Sequence, residues 1–220
     1  MFSSSAIFLI LLTTQSQTLE LDLNPNNRAI FTSANSKWRE AIVFEKAGNE
    51  IPAALSLQSA IRLTGQIPKP SLTGGDLLFI AQLETAHARV RYRLVTIQPN
   101  ADTWKEYLQA ADEAKVAIDA AGHVLSTGQP AGSLVILRGQ IELMNCNYKT
   151  AAASADYAAQ LYPAGKNEFA RFTGFVKNAE RSGNGPCANA GNARTAEWKE
   201  YGKQLMELAE FLQKVQSIVK

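Results

Sequence analysis

A chain of 220 residues is long enough for one or two domains with a substantial core. Its 46% apolar and 19% charged residues exclude wholesale disorder. A formal net charge of +2 is too small to call for nucleic acid or an anionic membrane as partner. The chain is rich in Ala, Leu, Glu and Lys and alternating β-branched runs are few, so the expected class is all-α.

The N-terminus, residues 1–16, reads as a signal peptide. Ala6–Thr13 is a short apolar run after a Ser-rich start, and Thr14-Gln15-Ser16 offers small side chains for cleavage near Ser16. The run is too short to span a bilayer, so a secreted or periplasmic location is expected, with no integral membrane span. Gln17–Asn27, with Pro25 and several Asn, reads as an extended leader into one helical domain over 28–220.

The first helix is predicted from Arg28 to a turn at Gly48-Asn49, where a left-handed cap is easy. Pro52 sits at the first turn of the next helix, which ends at Gly65; Ala53 and Ala60 lie seven apart on it. Gln66–Gly75, with two Pro and two Gly, is a linker. Asp76–Ile97 and Ala101–Leu125 are two long helices broken at Pro99-Asn100, with Ala110, Ala114 and Ala117 forming a small-residue stripe. Ser126–Gly132 reads as a second linker. Leu134–Pro163 reads as two helices about a polar turn at Asn145–Asn147, with Gly139 in the first and Ala151 and Ala158 on one face of the second. A shorter helix over about 167–181 and a Gly/Asn-rich loop over 182–193 lead to a last helix, 194–220. There Trp198, Tyr201, Leu205, Leu208, Leu212, Val215 and Val219 form a narrow seam, which reads as a capping helix or as a surface for a partner chain. The sum is about four antiparallel helical hairpins, 28–64, 76–125, 133–162 and 167–220, stacked as an α-solenoid.

These residues resemble the tetratricopeptide repeat family. The matching positions are Gly139, Tyr148, Ala151, Ala158, Leu161 and Pro163 in the third hairpin, and Ala41, Phe44, Gly48, Ala53, Leu57, Ala60 and Leu63 in the first. Val135, Arg138, Glu142 and Ala155 depart from the family pattern, and Trp38 sits one place out of register. The resemblance implies a non-enzymatic scaffold or adaptor binding a protein or peptide on its concave face. The partner-groove residues would be Asn35, Arg39, Arg89 and Gln140. Of the residues on the corresponding faces of the first and third hairpins, only Asn35 and Arg39 suit the carboxylate grip of some family members, so that activity is not carried over.

Cys146 and Cys187 are the two cysteines, and with an export signal they suggest a disulfide from the third hairpin's turn to the last loop. Chemistry is otherwise sparse. His87 lies three after Glu84 and four before Arg91, and reads as an exposed or partly packed histidine in a charge network. Arg89, Arg91 and Arg93 do not share a helical face, because Arg91 is turned about 200° from its neighbours; they read as solvated. No cluster has zinc-ligand spacing and no Gly-rich phosphate loop is present, so no catalytic residue, metal or cofactor is expected. Trp38, Trp104 and Trp198 read as core packing. The alternative to the adaptor is a small-ligand-binding or enzymatic domain, with a pocket shaped by the long middle hairpin and Glu84, His87 and Arg91.

Overall fold

The structure, a computed structural model, describes residues 24–98, 100–126 and 128–181. The described residues are all-helical and contain no strand: α1 Arg28–Lys46, α2 Glu50–Thr64, α3 Gly74–Ile97, α4 Ala101–Val124, α5 Gly128–Met144, α6 Tyr148–Leu161 and α7 Lys166–Arg181. Each packs on the next in chain order, and α3 also packs on α5. The segment expected to be a signal peptide, Cys187 and the helical seam expected over 194–220 lie outside the described residues.

Local chemistry explains the boundaries. Thr73 caps α3 through a reciprocal box: its hydroxyl accepts from the Asp76 amide at 3.2 Å, and the Asp76 carboxylate accepts from the Thr73 amide at 2.9 Å. Asn100 caps α4 by accepting from the amides of Asp102 and Thr103. The turns α1–α2 and α5–α6 share one design, with a left-handed residue between the helices: Gly48 at φ 72° and Cys146 at φ 58°. In both, the next amide reaches back to a carbonyl five residues earlier, Asn49 to Phe44 and Asn147 to Glu142, at 2.9 and 2.8 Å.

Two sequence expectations fail at helix starts. Ser126–Gly132 is not a linker throughout, since α5 begins at Gly128. Pro130 falls in the first turn, where a missing N–H costs no intrahelical bond. Gly132 is needed for packing, because a Cβ there would run into the Tyr162 ring. The end of the leader is not extended either. Pro25–Asn27 forms a 3-10 turn, and the Asn24 side chain donates to the Ser71 carbonyl at 2.8 Å, tying it to the turn before α3.

The fold is organised around α3, in which 16 of 24 residues are buried, so it must be covered on two sides. Phe79, Leu83, Ala86, Val90 and Leu94 face a core shared with α1 and α2, where Phe31 and Trp38 meet the Phe79 ring edge-on at 5.3 and 5.5 Å. Leu78, Ala81, Ala88, Tyr92 and Val95 lie on the opposite side, at about 180° by helical geometry, in the core built with α4 to α7. Tyr92 meets Tyr107 at 5.0 Å, and Trp104 packs beside it at 5.4 Å, so Trp38 and Trp104 are packing residues as expected. Ala53, Ala60, Ala114, Ala151 and Ala158 are fully buried, which lets neighbouring helices approach closely.

Candidate functional site

Two opposite apolar faces on α3 leave two seams between them, and its polar residues fall there. Arg89 and Arg93 occupy one seam, where both reach Glu45 of α1, at 3.6 and 3.0 Å. The other holds Glu84, His87 and Arg91, at i, i+3 and i+7. The arginines are therefore not a solvated face: one seam turns toward α1 and the other toward α4, and each side chain meets a carboxylate.

The second seam is matched across the α3–α4 turn by Glu106, Gln109 and Glu113, again at i, i+3 and i+7. Antiparallel helices pair residues equidistant from the turn, so Arg91 comes opposite Glu106 and Glu84 opposite Glu113. Arg91 donates to Glu106 at 2.7 Å, and Gln109 donates to Glu113 at 2.9 Å. Glu84, His87 and Glu113 each offer one ligand atom, and these three atoms lie within 4.8 Å of one another.

His87 is 6% exposed and Glu84 9%, whereas Glu113 opens to solvent. Burial pushes the Glu84 carboxyl up to about 7, with the nearby Glu113 charge adding to it. Burial also pushes the His87 imidazole down to about 4, helped by the Arg91 charge. His87 is thus a neutral ring at physiological pH, buried rather than exposed or partly packed, and it meets the charge network through Arg91. Arg91 Nε–H donates to His87 Nε2 at 3.2 Å. A guanidinium only donates, so Nε2 holds the lone pair and the ring proton sits on Nδ1. Neither His87 Nδ1 nor Glu84 Oε2 has a hydrogen-bond partner, though both are buried. No basic side chain among the described residues forms an ion pair with Glu84 or Glu113.

The groove residues expected from sequence are not brought together. Arg39 is exposed and Asn35 half-buried on α1. Arg89 is buried against Glu45, and Gln140 is 1% exposed. These two lie where α3 and α5 are covered by neighbours, so neither is available to a surface partner. Cys146 lies in the α5–α6 turn as read from sequence. Glu113 is not legible from ligand spacing along the chain; reflecting Glu84 across Gln98-Pro99 brings it to Glu113.

No protein-family model, curated protein or solved structure matches this chain.

Proposed function

We propose that the protein is an exported, tetratricopeptide-like scaffold, an α-solenoid of helical hairpins that binds a protein or peptide partner without acting on it chemically. The observation that carries this reading is an exposed apolar strip on the first hairpin. Val43 is 65% exposed on α1, and Ile51 and Leu55 are each 55% exposed on α2. Ile51 and Leu55 are i, i+4 neighbours, as are Arg39 and Val43, so each helix presents one compact pair. Large apolar side chains left in water, with the exposed Arg39 one turn from Val43, suit an amphipathic peptide. Among the described residues no helix is long and apolar enough to cross a membrane.

The test is site-specific photocrosslinking in the native compartment, with the crosslinker at Leu55 and, as control, at the exposed Asp112 of α4. Capture from position 55 alone, lost on Arg39→Ala and Val43→Ser while helical content is unchanged, is the expected result. Equal capture from both positions, or from neither, refutes the reading.

A further inference from the structure

We infer that Glu84, His87 and Glu113 form a binding site for a first-row divalent metal ion, of the Zn2+ and Mn2+ class, inside the α3–α4 hairpin. This stands independently of the scaffold reading. Three features carry it, and the first is convergence. Two residues one turn apart on α3 and a third from α4 bring their ligand atoms within 4.8 Å. A cation with bonds of about 2 Å needs donors roughly 3 to 4 Å apart, so side-chain adjustment alone closes the set.

The second feature is that the buried ligands lack partners. His87 is more than nine-tenths buried with Nδ1 unmatched, and Glu84 Oε2 is buried and unmatched beside it. Buried polar atoms are ordinarily hydrogen-bonded, and leaving one unmatched costs about 1–3 kcal/mol. An ion here would take the Glu84 oxygen directly, and would take His87 Nδ1 once its proton has moved to Nε2. The third feature is charge and donor type. Two carboxylates with no ion-paired basic residue balance a divalent cation, and the imidazole favours a transition ion over Mg2+ or Ca2+. Glu113, on the solvent side, leaves a route of entry.

Arg91 is the one group that must yield. A neutral imidazole has a single lone pair, and Nε2 now gives it to Arg91. Loading through Nδ1 moves the ring proton to Nε2, and loading through Nε2 displaces the guanidinium directly. Either way Arg91 leaves the ring, with Glu106 already holding its Nη1 at 2.7 Å. Three protein ligands leave coordination positions for water.

The test uses the full chain, stripped with chelator and titrated by calorimetry with ZnCl2 and separately with MnCl2 at pH 7.5. One-to-one saturable binding of at least one ion is expected. Glu113→Gln and His87→Gln should each weaken it by at least about tenfold, the loss that even outer-shell partners of a bound metal produce. Glu113 is exposed, so its substitution keeps the test valid if the buried His87 variant does not fold. No saturable binding by the unmodified chain overturns the inference. So does binding that Glu113→Gln leaves unchanged, which would place the ion on other ligands.

Discussion

Substituting Glu84 by Gln in the chelated protein isolates what this carboxyl costs the fold. Glu84 stands at about 7 in the folded chain against an ordinary 4.5, so the folded state holds its proton more tightly than the unfolded state. Its contribution is intact below pH 4.5 and is lost as pH rises through 7. The full loss is about 3 kcal/mol at 1.36 kcal/mol per pH unit, of which roughly 2 to 3 kcal/mol accrues between pH 5 and pH 8. His87 runs the other way. Lowered from 6.5 to about 4, it contributes fully above 6.5 and loses stability as pH falls through 4. Between 4.5 and 6.5 folding therefore takes up a proton at Glu84 and releases one at His87, and the two slopes cancel. The charged groups facing the pair are Arg91 on its own helix and Glu106 and Glu113 on α4. Glu84→Gln removes one of the opposed slopes. Measured by urea unfolding with EDTA present, the variant should gain roughly 2 to 3 kcal/mol on the parent between pH 5 and pH 8. Any fixed cost of packing the amide drops out of that difference. A variant whose stability relative to the parent is the same at pH 5 and pH 8 would refute the electrostatic reading of the seam.

Other substitutions probe what holds the helices together. Glu45→Ala removes the carboxylate that Arg89 and Arg93 share on the buried side of α3, with side chains only 11% and 21% exposed, and should cost about 1–3 kcal/mol in the same unfolding assay. Tyr107→Phe removes the 2.6 Å bond to Asn145 that ties α4 to the α5–α6 turn; a loss of about 1–2 kcal/mol without change in helical content is expected. Gly132→Ala drives a methyl into the Tyr162 ring and should lower stability by about 1–3 kcal/mol, read as a fall in thermal midpoint. Cys146→Gly gives opposite signs for the two states of its sulfur. Cys146 holds the left-handed conformation that Gly48 holds in the first hairpin, so glycine should relieve about 1 kcal/mol of backbone strain. A bridge to Cys187 closes a loop of about 40 residues worth roughly 3–4 kcal/mol. The expected result is net destabilisation in oxidising buffer that turns to stabilisation under reductant. Stabilisation in both buffers would show that no bridge forms.

The fold class and the breaks between helices were legible because they rest on local chemistry. Gly48-Asn49 and Asn100 end or begin helices through their own backbones and side chains, whatever packs around them. The alanine pairs were legible for a related reason, since small residues repeating at seven mark a close helix contact wherever it falls. Ser126–Gly132 misled because glycine and proline signal a break only on average. In this hairpin Pro130 sits where its defect is harmless, and Gly132 answers to Tyr162, 30 residues away.

The polar residues of α3 were misread for a deeper reason. A charged residue on a helix is taken as solvated when the apolar residues occupy one stripe and leave the remaining surface to water. On α3 they occupy two opposite stripes, one facing α1 and α2 and the other facing α4 to α7. Charged residues then have only the seams, each bounded by another helix, and must find partners across it or stay unmatched. The arginines found carboxylates, Glu45 for Arg89 and Arg93 and Glu106 for Arg91. The acidic end of the Glu84 seam found only another acid. Two-sided burial thus both hid the depth of Glu84 and His87 from a reading along the chain and made their pairing with Glu113 costly enough to call for a cation.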